Sequence, residues 1–275
     1  MTNLLEDKKR TIDRFFHGLQ WLVQLDKAEI RSVVARTPEL TPKRELLVLN
    51  YDRAALNMEL LATLSNSRQV QAIVILTRAV FELAVEVKLI EISPDAVPKI
   101  RLFDEVQKLK TARNIVAYAS KNPHAAVHWK TQEEFIRSRG KVIDEAKKRM
   151  WPKKDGEARQ DFSHWTLKNL RIRAEELKEP FHEIYETQYS AMNFFAHPGT
   201  TGVRGIDAAA FAMLVGQSYK IAADCYAEIL HLIVDEFDIQ ASDGAIKDKI
   251  RDVRIYQFAE NPAEKELLSR SFRRD

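Results

Sequence analysis

Tyr185, Tyr189, Asn193 and His197 recur every four residues in the segment FHEIYETQYSAMNFFAHPG, a spacing that puts four hydrogen-bonding side chains along one slowly drifting helix edge. Of the four, His197 can change charge near neutral pH, and Pro198 ends the helix directly behind it, where the helix dipole favours the protonated imidazole. The chemistry this pattern suggests is acid/base work or phosphate contact by His197, with Asn193 and Tyr189 orienting it. The GTTGVRG loop that follows holds three of the eight glycines of the chain and leads into the next long helix. Thr200, Thr201 and Arg204 at that helix start form a candidate anion-binding set, although the loop matches no phosphate-loop consensus and a plain flexible connection is the simpler reading.

A positive charge for such a site has a second source. Arg78 and Glu82 stand one helical turn apart in the apolar run ILTRAVFELAVEV, with Glu86 a further turn on. An unpaired buried charge is costly, so Arg78 and Glu82 are expected to pair with each other or with groups on another helix, either as a buried ion pair that fixes helix register or as a site that also meets the His197 edge. A metal reading competes with it. Glu179 with His182 and Glu228 with His231 have the three-residue spacing of di-iron carboxylate bundles, but Pro180 interrupts the first copy. The second copy shares a polar row with Asp224 and Asp235 that reads as solvated, and His124 and His128 lack nearby carboxylates, so no metal and no cofactor is expected.

A third feature is charge. Residues 137–173 hold twelve Lys and Arg against five Asp and Glu, with Trp151, Phe162 and Trp165 interleaved. Cations with aromatic rings suit phosphate contact and base stacking, which makes His164 and Trp165 candidate ligand-binding residues; a solvated helix pair pinned by its aromatic residues is the plainer reading.

The elements that must position these residues are helices. Apolar residues recur three and four apart, and no stretch combines alternating polarity with hairpin turn signals. Helices are expected over about 3–25, 27–37, 43–65, 69–91, 99–120, 130–149, 165–178, 181–197 and 206–237. Residues 70–92 and 206–237 are apolar nearly all round, the pattern of helices enclosed by other helices. The predicted fold is therefore all-α, an antiparallel helical bundle around these two apolar central helices. It is divided into N-terminal helices at 1–42, a core domain at 43–240 and a peripheral C-terminal helix and tail at 241–275.

Composition narrows the function classes. Forty-three basic against forty acidic residues leave a net charge of +3, so any polyanion site must be local. The single cysteine, Cys225, excludes an internal disulfide and a cysteine-rich zinc module. The charged N-terminus does not fit a secretory signal and no run nears eighteen apolar residues, so a cytoplasmic protein without a membrane partner is expected. No nucleophile elbow, Walker loop, H-E-x-x-H or dinucleotide fingerprint occurs.

Three separated motifs carry a resemblance. Arg78 and Glu82 in LTRAVFELA, His164, Trp165 and Thr166 in DFSHWTLKNLRIRAEEL, and Tyr189, His197 and Pro198 in YSAMNFFAHPG occur in the order found in an uncharacterised bacterial family of helical domains of unknown function. That match covers about residues 45–235 and implies no activity. MNFFAHP is also remotely similar to the signature of HEPN ribonucleases, helical proteins of bacterial toxin and antiphage systems. That likeness implies a homodimer, a bound RNA or nucleotide and, for an enzyme, metal-independent RNA cleavage. Asn193 and His197 match the polar residue and the histidine of the signature, whereas Met192 stands where its arginine belongs. The expected function is a HEPN-like defence or stress-response protein, with a non-enzymatic helical interaction module or a di-iron carboxylate protein as alternatives. A protein partner is expected for the interaction module.

Overall fold

Proline, capping side chains and apolar period together decide where each helix starts and what it buries. The computed structural model describes residues 2–65, 69–122, 124, 129–152, 163–196, 208–239 and 246–258, and among them no β-strand occurs. Helix α1 (Thr2–Leu25) continues through a π-helical turn (Asp26–Ile30) into α2 (Arg31–Arg36). Then follow α3 (Pro42–Leu61), α4 (Val70–Ile92), α5 (Ala96–Lys121), α6 (Trp129–Met150) and α7 (Leu170–Leu177). Helix α8 (Phe181–Ile184), a second π-helical turn (Tyr185–Tyr189) and α9 (Ser190–Ala196) form one run, and α10 (Ala208–Glu236) and α11 (Ile246–Phe258) complete the fold.

The all-α expectation holds, and the departures from the expected boundaries have local causes. Thr41 caps α3 by accepting the Arg44 amide at 3.2 Å, with Pro42 in the first turn, where its missing N–H costs nothing. Helix α7 begins at Leu170 and not at 165, because Asn169 accepts the Ile172 amide at 3.0 Å and Leu167 adopts a positive φ of 62° just before it. The expected break at residue 26 is absent. A π turn there inserts one residue without interrupting the helix and turns the Asp26 carboxylate into the interior. The carboxylate is 0% exposed and accepts Arg31 Nη2 at 2.6 Å and the Tyr51 hydroxyl, while Arg31 Nη1 reaches Glu59 at 2.5 Å. Burial and the charge of Asp26 push the Tyr51 hydroxyl well above its usual pKa, and the Arg31 hydrogen bond holds the Glu59 carboxyl below its own.

The chain divides into two compact units, residues 1–92 with 173–275, and residues 93–172. In the first, α4 packs on α10, α1 on α10 and α3 on α4, so the two apolar helices are central as their composition predicts. Ile73, Val74, Val80, Phe81, Ala84, Val85 and Val87 of α4 are completely buried, and so are Ala222, Ala223, Tyr226, Ala227, Leu230 and Ile233 of α10. Alanines on that face let the neighbouring helix approach closely, and Thr77 donates across the contact to the Ser218 carbonyl at 3.3 Å.

Helix α11 is no loose appendage, for Ile246, Ile250 and Val253 are buried against α1 and α10. It also corrects the reading of Asp224 and Glu228 as part of a solvated row, although Asp235 at its end stays 62% exposed. Arg254 reaches Glu228 at 3.1 Å and Asp224 at 3.5 Å, Lys247 pairs with Asp235, and Asp224 is only 6% exposed.

In the second unit, α5 and α6 form an antiparallel hairpin joined along a thin seam in which Leu109 meets Gly140 at 3.6 Å from where a Cβ would stand. Arg113 with Asp144 at 2.6 Å and Arg139 with Glu105 at 3.6 Å tie its flanks.

Candidate functional site

The π turn at Tyr185–Tyr189 is what the four-residue repeat of the polar edge was hiding. A π helix needs more than four residues per turn, so Tyr185 and Tyr189 fall almost in line, with rings stacked at 4.9 Å and 18°. Such turns cluster at functional sites. The run through α9 lies antiparallel to α4, with Tyr189 beside Glu82 at one end and Gln71 donating to the Phe195 carbonyl at 3.2 Å at the other.

Glu82 is the hub. Its Oε1 accepts Arg78 Nε at 2.7 Å and the Tyr189 hydroxyl at 2.7 Å, and the Arg78 guanidinium lies over the Tyr189 ring, 5.1 Å from its centroid. Phe81 packs on the same ring at 5.6 Å. The expected Arg78–Glu82 pair is therefore formed. It differs from expectation in burial, since the side chains are 28% and 42% exposed. A π-helical neighbour carrying a tyrosine, and not a sealed core, is what completes the carboxylate's hydrogen bonding. Burial works against the charge of Arg78, but the hydrogen bond and charge of Glu82, with Tyr189, more than offset it and raise its pKa. Burial and then the Glu82 carboxylate push the Tyr189 hydroxyl well above the usual phenol range, so it remains a proton donor at physiological pH.

Arg173, a member of the cluster that the basic run of the sequence concealed, extends it. Its Nη1 lies 3.6 Å from Glu86, both side chains are largely buried at 15% and 17% exposure, and its buried Nε has no hydrogen-bond partner among the described residues. Burial lowers the pKa of Arg173, opposed by Glu86, Glu82 and Tyr189. Nothing in NLRIRAEEL marks which of its two arginines, Arg171 or Arg173, turns inward; only the helix start at Leu170, with Ala174 fully buried beside Arg173, decides that.

The remaining site residues are distributed unevenly. Asn193 lies one turn beyond Tyr189, and its buried Oδ1 makes no hydrogen bond among the described residues. Met192 is 1% exposed. His197, Thr200, Thr201 and Arg204 lie outside the described residues, as does Phe162. His164 and Trp165 belong to the second unit, where they build a turn. His164 Nδ1 contacts the Thr166 hydroxyl at 2.8 Å, Trp165 is 3% exposed, and its carbonyl accepts Trp151 Nε1 at 3.0 Å. Trp151, at 4% exposure, is equally withdrawn, so these two tryptophans pin the unit together.

The metal reading finds no support in geometry. Glu228 is engaged by Arg254, Glu179 is 64% exposed with His182 3.8 Å away, and among the described residues no three His, Cys, Asp or Glu side chains converge as a metal set. No described helix is long and apolar enough to cross a membrane.

Fold and site together define an all-α chain with an arginine–carboxylate–tyrosine cluster at the edge of its central helix. The chain belongs to the Family of unknown function (DUF5677), whose model matches residues 45–206. The match begins where the motif resemblance begins and ends before α10. No curated protein and no solved structure matches the chain.

Proposed function

We propose that the Arg78–Glu82–Tyr189 cluster is a phosphate-recognition site, and that the chain is a HEPN-like bacterial defence or stress-response protein that binds a nucleotide or RNA there as a homodimer. The single observation that supports this is a guanidinium held by a carboxylate and a tyrosine face, yet 28% exposed, so that its charge is preorganised and still reachable from solution. In this reading His197 is the phosphate ligand or acid/base, Asn193 with its unpaired amide oxygen orients it or the ligand, and Arg204, Thr200 and Thr201 add anion contacts. Met192 is a core residue, which favours binding over cleavage.

Calorimetric titration of the purified chain with a nucleoside 3′,5′-bisphosphate tests the proposal. Arg78→Gln and His197→Ala are each expected to weaken binding at least tenfold with the helical circular dichroism spectrum unchanged. Binding equal to that of the unaltered chain in both variants refutes it. If cleavage also occurs, His197→Ala should slow it by about a hundredfold or more.

One observation favours the interaction-module reading. Leu49, Leu56 and Leu60 are 55%, 61% and 55% exposed and, at spacings of seven and four, share one face of α3. Sedimentation of Leu56→Glu beside the unaltered chain decides it, a loss of self-association or partner capture with nucleotide binding intact being the expected outcome.

A further inference from the structure

The two units carry opposite charge. Residues 93–172 hold 18 Lys and Arg against 10 Asp and Glu, a net of +8, whereas the rest of the chain holds 25 against 30. The total of +3 conceals this polarity. Within the basic unit the structure sorts cations into two kinds. Arg113, Arg139, Lys108 and Lys99 are bound to carboxylates. Lys130, Arg137, Lys141 and Lys148 of α6 are exposed and make no ion pair among the described residues. Their spacings of seven, four and seven keep all four within about 20° of one line along a helix of 3.6 residues per turn, a track roughly 27 Å long. Glu134 and Glu145 fringe that line on one side, and Glu133 and the Arg113-bound Asp144 on the other.

At the end of the hairpin where α5 finishes and α6 begins, two large aromatic side chains reach the solvent. Tyr118 is 57% exposed and Trp129 is 37% exposed, with Lys121 and Lys130 beside them. These rings, not the buried Trp151 and Trp165, are the ones able to stack. The apolar seam of α6 is used up on α5, and its exposed Val142 lies about a third of a turn from the cation line, so the hairpin lacks the apolar face that a membrane-lying helix sets beside its cations. A cation track ending in exposed aromatic residues is the arrangement that holds single strands, phosphates on the track and bases on the rings.

We propose that the α5–α6 hairpin is a docking arm for a single-stranded polynucleotide, with Lys130, Arg137, Lys141 and Lys148 tracking its phosphates and Tyr118 and Trp129 stacking its bases. The arm is argued independently of the Arg78 cluster, and the two are separable by experiment.

The full chain is titrated with fluorescein-labelled 20-mers of uridylate and of deoxythymidylate between 50 and 200 mM salt, read by anisotropy. Binding of either oligonucleotide with a log–log salt slope near −3 is expected, from about −0.7 per phosphate contact. The triple variant Arg137→Gln, Lys141→Gln, Lys148→Gln should lower affinity at least tenfold and flatten the slope by about two. Tyr118→Ala and Trp129→Ala should each weaken binding about fivefold to a hundredfold at unchanged slope. A preference for the uridylate strand would assign the arm to RNA, and equal binding to single strands in general. Should the triple variant fail to fold, protection of Lys130, Lys141 and Lys148 from acetylation by bound oligonucleotide gives the same answer on the unaltered chain. Unchanged affinity and slope in the variants, or no protection, overturns the proposal; so does binding to phosphatidylserine vesicles that depends on Tyr118 and Trp129 when neither oligonucleotide binds. Arg78→Gln should weaken bisphosphate binding at least tenfold without flattening this slope, so failure of one site is distinguishable from failure of the other.

Discussion

The first unit builds the same trio twice. At Asp26 and at Glu82 a carboxylate takes an arginine N–H and a tyrosine hydroxyl, and each trio includes a residue from a π-helical turn. At Asp26 the carboxylate is 0% exposed, and the trio locks the α1–α2 run to α3. At Glu82 the side chain is 42% exposed, and the trio leaves its guanidinium reachable. Equal chemistry thus yields a tether in one place and a candidate site in the other. The difference lies in how much water reaches the carboxylate.

The largest effect that tests this contrast is expected at the closed trio. Asp26→Ala strips Arg31 and Tyr51 of a buried counter-ion and should cost about 3–5 kcal/mol, a fall in Tm of roughly ten degrees. A thermal melt within two degrees of the unaltered chain would break the comparison. Hydroxyl removal comes next. Tyr51→Phe should cost about 2 kcal/mol, because its acceptor is a buried charge, whereas Tyr189→Phe should cost less than about 1 kcal/mol. Denaturant unfolding of the two variants side by side reads the difference, and equal costs would show that exposure does not separate the trios. Glu82→Gln should fall near or below about 1 kcal/mol in stability, since solvent screens a pair this exposed, yet should change bisphosphate binding at least twofold. A large stability loss without a binding change would make the open trio a second tether.

The smallest effect concerns the row beneath α11. Burial lowers the His231 pKa below 6.5, Arg254 and Lys247 of α11 lower it further, and Glu228 and Asp235 oppose them. A depressed pKa means that its contribution to stability is complete above pH 6.5 and is lost as the pH falls through the folded value. His231→Gln should therefore flatten the decline of Tm below pH 6.5, which melts at pH 5.5 and 7.5 measure.

Much of the fold was legible because period and composition are local properties. The apolar runs at 70–92 and 206–237 announced central helices, and Arg78 with Glu82 announced a pair. What the sequence could not carry was which partner each polar group finds. Arg173 turning inward, Asp224 covered by α11, and Tyr189 reaching Glu82 across 107 residues all depend on helix docking. Of the two sequence readings of Trp151 and Trp165, ligand stacking or pinning to the core, burial supports the pinning one. An aromatic residue among cations reads alike whether it faces a ligand or a neighbouring helix, and only burial at 4% and 3% separates the cases.

The contact between Thr77 and Ser218 joins residues 141 apart, and it lies in the middle of the core. During synthesis α4 leaves the ribosome long before α10 exists to cover it, with the whole second unit still to be made between them. The family-matched stretch 45–206 stops short of α10, so a fragment cut to those bounds keeps α4 without the helix that buries it. Such a fragment is expected to be a client for chaperones and prone to aggregation, and the full chain to fold late and slowly for its helical content, because its decisive contacts are among its most distant.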